Sequence, residues 1–356
     1  MITDRVISSV AQRQVRHVVP VDPAAAHGVV DGIYRQVADE MRMVIPPALL
    51  HSPSPEALTA YWLLLREPLL PAGAAGRAAK EAVASAVATA TTCPYCVDMH
   101  TINLYELLGE QAAETIAAAA PDELADPGLR ALVGWAAGAH RPGAGRPGTA
   151  RGGCRAELIG VLVGFHYLCR MVNVFLSPAL VPPRLGPGAR RRFKRGVSVL
   201  TRPTLRAGHE PGRALAFAPV APLPPDARWA AADPVVAAAT GRAYALFDTI
   251  GERSVSPAVR ALVARRVAGW RGEDMGLSRR WCEPDLAGLP AGDRAAGRLA
   301  LLTALASYQV DDEVIAGYRE HHPGDRELVE TTAWAAYLAA RRIGARHAGL
   351  RIFEEP

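Results

Sequence analysis

Apolar residues recur at spacings of three and four along most of the chain, which is the periodicity of amphipathic α-helices. The breaks hold Pro, Gly, Ser or Asp, and Ser54-Pro55 and Asp233-Pro234 each combine a capping residue with a first-turn proline. The pattern predicts one set of helices over 29–44, 54–67, 76–90, 93–108, 127–140 and 155–176. It predicts a second set over 233–250, 256–270, 293–307, 311–320 and 325–347.

Composition supports an all-α protein. Aromatic residues make up only 6% of the chain, whereas β-sandwiches and barrels are enriched in aromatic and β-branched residues. The 356 residues are enough for two domains or for one duplicated unit with a sizeable core.

The two helical sets contain a weak internal repeat. Leu129–Trp135 is similar to Arg298–Ala304, and Leu158–Leu176 is similar to Leu328–His347. A repeat of roughly 170 residues indicates a duplicated helical module rather than a solenoid of short repeats. We therefore predict two related helical modules in tandem.

The segment between the two sets is dense in Pro, Gly and Arg and has the composition of a linker, with one short helix near 188–200. The predicted organisation is a first module at 1–180, a linker at 181–229 and a second module at 230–356. The basic run 190–195 lacks an accompanying nucleic-acid motif, so we expect a solvated surface or pairing with acidic residues, and no nucleic-acid partner.

Charge and cysteine content favour a cytoplasmic protein. The net charge is only +5, and the N-terminal stretch lacks the apolar core of a signal peptide. The most apolar run, 158–169, is interrupted by His166 and ended by Arg170, so it is predicted to be too short to cross a membrane. Five cysteines with one close pair do not resemble a secreted disulfide framework.

That close pair is the strongest chemical signal in the chain. Cys93 and Cys96 form a Cys-x-x-Cys with Pro94 at the predicted start of a helix, and His100 follows one turn later. At 100° per residue, the two cysteines and His100 share one helix face. A sulfur near a helix N-terminus is favoured as a thiolate, so we expect Cys96 to ionise readily near neutral pH.

Glu81 lies twelve residues before Cys93 and would point about 120° away from it on one unbroken helix. A break at Thr91-Thr92 would instead let the helix fold back, so that the carboxylate faces the cysteines. Two sulfurs, a base and a carboxylate are the parts of a thiol redox site.

The pattern Glu-x11-Cys-x2-Cys-x3-His in a helical context resembles the AhpD-like alkylhydroperoxidases of the carboxymuconolactone decarboxylase superfamily. The segments 47–53 and 60–62 are similar to that superfamily's peroxidase-related branch. The resemblance covers about 45–176, with the second half as a degenerate copy. It implies an AhpD-like helical bundle that assembles into homo-oligomers.

The resemblance also implies roles for the four residues. Cys96 would be the peroxidatic thiol, Cys93 the resolving thiol, and Glu81 with His100 the proton relay of a thiol-dependent peroxidase that needs no cofactor. Tyr95 occupies a position where some members carry His. The substrate would be a hydroperoxide, and the reductant a dithiol: a lipoyl carrier, a thioredoxin-like protein or a low-molecular-weight thiol.

The second module departs from this pattern. Aligning Val259–Trp281 on the motif places Arg260, Gly272, Met275 and Arg279 near the four functional positions. We therefore expect that copy to be inert.

Several alternatives stand beside the peroxidase. The same four residues could bind zinc tetrahedrally, although structural zinc sites usually have a second Cys or His pair, so no metal is expected. A purely structural disulfide would be unusual in a cytoplasmic chain. The chain could also be a cofactor-free lyase resembling carboxymuconolactone decarboxylase, or a non-enzymatic helical assembly or stress-response protein. Cys154, Cys169 and Cys282 are expected to be core or surface residues. His166 is expected to be a satisfied interior histidine, with a pocket-lining role as the alternative.

Overall fold

The computed structural model describes residues 11–347 except 146, 148, 149, 182 and 183. In this part of the chain the regular structure is helical, and strand-like pairing is limited to an isolated bridge between Val15 and Leu176. The all-α prediction is confirmed.

The first half contains nine helices among the described residues, and the last two of them are long. They are α1 (Gly28–Met41), α2 (Pro46–His51), α3 (Pro55–Leu69), α4 (Arg77–Ala90), α5 (Pro94–Leu107), α6 (Glu110–Ala117), α7 (Pro127–Gly138), α8 (Gly152–Phe175) and α9 (Pro187–Arg206). Those of the second half are α10 (Pro234–Ser254), α11 (Pro257–Gly269), α12 (Glu283–Leu286), α13 (Ala291–Ala306), α14 (Asp312–Arg319) and α15 (Asp325–Ala345). Short 3-10 turns, for example Pro225–Ala230, connect several of them.

Each helix of the two predicted sets is present, with ends that differ by at most four residues. The predicted caps form: the Ser54 hydroxyl accepts from the Ala57 amide at 3.3 Å, and the Asp233 carboxylate accepts from two amides of the first turn of α10. Sequence periodicity missed α2, α6 and α12, which have six, eight and four residues, because helices of one or two turns show the periodicity weakly.

The helix α8 is the centre of the fold. It packs against α3 and α4 on one side and against α15 on the other. The backbones of α8 and α3 come close at Gly164, where a Cβ atom would lie 3.0 Å from the Leu64 carbonyl oxygen. Any larger residue at this position would push the two helices apart.

The apolar segment of α8 was predicted to be too short to span a membrane, but the helix that contains it is long enough to do so. The helix has 24 residues and is apolar enough to cross a bilayer on composition alone. However, 94% of its most apolar window is buried inside the fold, so its hydropathy is that of a core helix. A cytoplasmic location stays a prediction.

The two halves repeat a set of helix contacts. In the first half α3 and α4 pack on α8 and α4 packs on α7; in the second, α10 and α11 pack on α15 and α11 packs on α13. The halves also pack on each other, α10 against α3 and α15 against α8, and share one continuous core. The repeated contacts favour duplication, and the boundaries at 180 and 230 stay predictions.

The predicted linker contains α9, which is longer than expected and lies against α5. Its basic side chains pair with carboxylates of α5 and α6: Lys194 with Asp98 at 3.5 Å and with Glu114 at 3.2 Å, and Arg202 with Glu106 at 2.6 Å. The basic run thus pairs with acidic neighbours, one of the two arrangements expected from the sequence.

Candidate redox site

The turn between α4 and α5 places the cysteine pair. Thr92 adopts a left-handed conformation, with φ at 51°, which costs a β-branched residue about 1–2 kcal/mol. Cys93 then becomes the N-cap of α5, and Pro94 occupies the first turn, where its missing amide hydrogen is not needed. The break expected at Thr91-Thr92 is therefore present, and it reverses the direction of the chain.

Cys93 and Cys96 are buried free thiols with their sulfur atoms 2.8 Å apart. A disulfide bond has its two sulfurs about 2.05 Å apart. The two sulfurs are therefore close enough to form a disulfide with a small movement.

Glu81 and His100 form the second half of the site. The reversed chain direction brings α4 alongside α5, and His100 Nδ1 donates to Glu81 Oε2 at 2.6 Å. The other carboxylate oxygen accepts from Arg77 Nε at 2.8 Å, and Asn103 donates to Oε2 at 3.2 Å. These contacts fix both the carboxylate and the histidine tautomer, since Nδ1 carries the hydrogen and leaves Nε2 as the free nitrogen.

The carboxylate of Glu81 is charged at neutral pH although it is fully buried. Burial by itself raises the pKa of Glu81, but the Arg77 and His100 charges and hydrogen bonds outweigh it and lower the pKa to about 2. The charge is therefore present through the whole range in which an enzyme assay is practical.

Both halves of the site meet at one cavity of about 480 Å³. Cys96, His100 and Glu81 line it, together with apolar side chains of α3 and α8 such as Leu65 and Phe165. Cys93 is not part of this lining, so Cys96 is the sulfur of the pair that a ligand in the cavity would meet. The helix α9 supplies Thr201, Thr204 and Leu205 to the wall.

The four predicted residues thus lie together, but not in a single hydrogen-bonded chain. Among the hydrogen bonds of the described residues, none joins His100 to Cys93 or Cys96; the His100 ring instead meets the Phe165 ring edge-on at 4.6 Å. A proton passing between His100 and Cys96 would need a bound substrate, a water or a small rotation to bridge the gap.

The expectation that Cys96 ionises readily is wrong for the free, reduced protein. Burial raises the pKa of the Cys96 thiol well above its ordinary value, and the adjacent thiols raise it further. Burial likewise raises the pKa of Cys93. The helix N-terminus stabilises a thiolate, but burial has the larger effect, because the cavity wall and α8 exclude water from both sulfurs.

A third thiol lies beside the Cys-x-x-Cys. Cys169, on α8, has its sulfur within 4.8 Å of those of Cys93 and Cys96, and all three are buried. Burial raises the pKa of Cys169 as well, but hydrogen bonds from Cys93, Cys96 and Thr91 outweigh it and bring the pKa well below its ordinary value. Cys169 thus differs from Cys93 and Cys96 in the direction in which its pKa is shifted. No sequence signal marks it, since it lies 73 residues beyond Cys96.

The possible metal ligands that the structure brings together are not the four residues expected from the sequence for a zinc site. The ligands in reach of one ion are the three cysteines Cys93, Cys96 and Cys169. His100 and Glu81 are instead hydrogen-bonded to each other. Thiolates on a tetrahedral zinc ion lie about 3.8 Å apart, given Zn–S bonds of about 2.3 Å. The Cys93 and Cys96 sulfurs are 2.8 Å apart and all three sulfurs lie within 4.8 Å of one another, so the cluster could hold a metal ion after small shifts. The absence of a metal stays a prediction.

The imidazole ring of His166 has only one of its two nitrogens hydrogen-bonded, contrary to the expectation of a fully satisfied interior histidine. Its Nδ1 accepts a hydrogen bond from Arg170 at 3.4 Å, whereas its Nε2 is buried and has no hydrogen-bond partner among the described residues. It lines a second cavity of about 470 Å³ between the two halves, together with His140 and Trp270.

The second half carries no counterpart of the site at the aligned positions. Arg260 lies on α11, whereas Gly272, Met275 and Arg279 follow that helix in a loop and a 3-10 turn. Arg279 forms an ion pair with Asp311. These four residues supply neither a thiol nor an imidazole.

The structure is thus a helical fold with a buried Cys-x-x-Cys beside a Glu–His pair. The chain is 39% identical over 330 residues to alkyl hydroperoxide reductase Rv2159c of Mycobacterium tuberculosis, covering 93% of this chain and 94% of that protein. It belongs to the AhpD-like alkyl hydroperoxide reductase family. No protein-family model and no solved structure matches it.

Proposed function

We propose that this protein is a thiol-dependent peroxidase that reduces alkyl hydroperoxides with electrons from a dithiol. The name of the mycobacterial relative supports a function of the alkyl hydroperoxide reductase type. The observation that carries the proposal is the position of Cys96, which lines an apolar cavity with Cys93 directly behind it at 2.8 Å and the Glu81–His100 pair in the same wall.

The first step is oxidation of Cys96. Its thiol loses a proton and the thiolate attacks the distal oxygen of the hydroperoxide, so that the O–O bond breaks and a sulfenic acid forms. The leaving alkoxide takes up a proton and departs as an alcohol. We assign the proton transfers to His100 Nε2, because Glu81 holds the opposite nitrogen and stabilises the imidazolium.

The second step is closure of the disulfide. The Cys93 sulfur attacks the Cys96 sulfenic acid, the S–O bond breaks and water leaves. An external dithiol then reduces the Cys93–Cys96 disulfide by two exchange steps and becomes a disulfide itself. A lipoyl carrier, a thioredoxin-like protein or a low-molecular-weight dithiol would serve, and a homo-oligomeric assembly stays a prediction.

The apolar wall favours an organic substrate. Side chains such as Tyr61, Leu65 and Phe165 would bury an alkyl or aryl group, whereas hydrogen peroxide would gain nothing from them. The function is tested by following loss of cumene hydroperoxide with reduced protein and excess dithiothreitol. Many turnovers per chain, abolished by prior alkylation with N-ethylmaleimide, support the proposal. Consumption no faster than by dithiothreitol alone contradicts it.

Replacing Glu81 with Gln is expected to lower kcat/KM for cumene hydroperoxide by about 10–100-fold. The amide keeps the shape of the carboxylate but loses the charge that balances a protonated His100. Because the pKa of Glu81 is about 2, the loss should be the same at pH 6 and pH 8. A carboxylate that titrated in the assay range would instead give a loss that grows with pH.

Asn103→Ala is the matched control for this variant. It removes one 3.2 Å hydrogen bond from the same carboxylate and leaves the Arg77 and His100 contacts in place. We expect a loss of only a few-fold, in line with one weak hydrogen bond. Equal losses in the two variants would show that the charge on Glu81 is not what matters.

A further inference from the structure

A third sulfur belongs to the same cluster as the Cys-x-x-Cys. The sulfurs of Cys93, Cys96 and Cys169 all lie within 4.8 Å of one another, on two different helices. Cys169 is fully buried on α8, and it does not line the substrate cavity. A thiol that close can reach the Cys96 sulfur through side-chain rotation and a small shift of either helix.

The surroundings of Cys169 favour its reactive form. The sulfurs of Cys93 and Cys96 lie within 4.8 Å of its sulfur, and the next residue along the chain is a cation. The adjacent Arg170 is a buried guanidinium whose hydrogen bonds go to the carbonyl groups of Ala304 and His166 and to the His166 ring, all of them neutral. A thiolate at position 169 would supply this cation with a negative neighbour.

We propose that Cys169 is a second resolving thiol, able to form a Cys96–Cys169 disulfide when Cys96 is oxidised. The inference rests on the proposed function for the source of the sulfenic acid. The Cys169 sulfur attacks the sulfur of that sulfenic acid, an S–S bond forms and the S–O bond breaks. The sulfenic hydroxyl leaves as water after taking up the one proton that the Cys169 thiol gives up.

Cys93 then completes the cycle in the intact protein. Its thiolate attacks the Cys96 sulfur of the Cys96–Cys169 disulfide and releases Cys169 as a thiolate, giving the Cys93–Cys96 disulfide without net oxidation or reduction. The advantage of a second resolving thiol is protection. A sulfenic acid that waits for one partner can be oxidised further to the sulfinic acid, which thiols do not reduce.

The test compares reduced Cys93→Ser with the double variant Cys93→Ser/Cys169→Ser after one equivalent of cumene hydroperoxide. Trypsin places Cys96 in the peptide 81–130 and Cys169 in the peptide 156–170, so a Cys96–Cys169 bond joins two peptides in non-reducing mass spectrometry. We expect the joined peptides in most chains of Cys93→Ser. In the double variant we expect a Cys96 sulfenic acid that dimedone traps.

The control is Cys93→Ser/Cys154→Ser, which removes a half-buried thiol at the other end of the same helix. It should form the joined peptides as Cys93→Ser does. Trapped sulfenic or sulfinic acid on Cys96 of Cys93→Ser, with no joined peptides, would overturn the proposal.

A second oxidant separates this proposal from the peroxidase itself. Diamide oxidises two neighbouring thiols to a disulfide and is itself reduced to a hydrazine, so it needs no hydroperoxide chemistry. If cumene hydroperoxide leaves Cys96 of the wild-type protein untouched, the proposed function fails, and the Cys169 proposal is then judged with diamide on Cys93→Ser. Joined peptides after diamide support the pairing, and their absence contradicts it.

Discussion

Cys96→Ser is expected to lower kcat/KM for cumene hydroperoxide at least about 1,000-fold, to the background rate of dithiothreitol. The reaction needs a polarisable sulfur that can become a thiolate and then carry an oxygen. A serine hydroxyl fills nearly the same volume in the cavity wall, so the loss reports chemistry rather than packing. The measurement is the initial rate of hydroperoxide loss under saturating dithiothreitol.

Cys154→Ser is the matched control, because it removes a thiol from the same protein well away from the cavity. It should keep the wild-type rate. If Cys96→Ser retained more than about a tenth of wild-type activity, the assignment of Cys96 as the oxidised thiol would be wrong.

Arg66→Leu is expected to lower the free energy of unfolding by about 3–5 kcal/mol. The guanidinium of Arg66 is completely buried between two buried carboxylates, with Glu40 at 2.7 Å and Glu67 at 2.8 Å. It also donates to the Glu210 carbonyl at 2.8 Å, while Glu67 accepts from two amides of the 212–214 segment. Without the arginine, two negative charges stay buried close together, and the segment following α9 loses an anchor.

The comparison is Arg298→Leu, which breaks a partly exposed ion pair with Glu283 at 2.8 Å. Exposed pairs contribute little, so we expect a loss of about 1 kcal/mol or less. Urea unfolding followed by circular dichroism gives both values. Equal losses in the two variants would mean that the buried network is not held together by its charges.

Much of the fold follows from local sequence. The 3.6-residue periodicity and the Ser-Pro and Asp-Pro caps locate the long helices within a few residues, because these signals act over one or two turns. The threonine pair before Cys93 also predicts the reversal that brings Glu81 alongside His100. That prediction follows from the angle of 100° per helical residue and from a single helix break at Thr91-Thr92.

The rest depends on contacts between distant parts of the chain. Cys169 joins the cluster through the packing of α8 on α5, and α9 closes the cavity although its composition is that of a linker. The same reason explains why Cys96 does not ionise readily. The N-terminus of one helix favours the thiolate, but burial of Cys96 among several packed helices has the larger effect and raises the pKa of its thiol.

The most direct test of the central claim is the fate of Cys96 in a single turnover. Reduced wild-type protein receives one equivalent of cumene hydroperoxide, and both the alcohol product and the non-reduced peptide 81–130 are measured. We predict one alcohol released per chain and a Cys93–Cys96 disulfide within that peptide, two hydrogens lighter. Both thiols still open to alkylation, with no alcohol formed, would contradict the account.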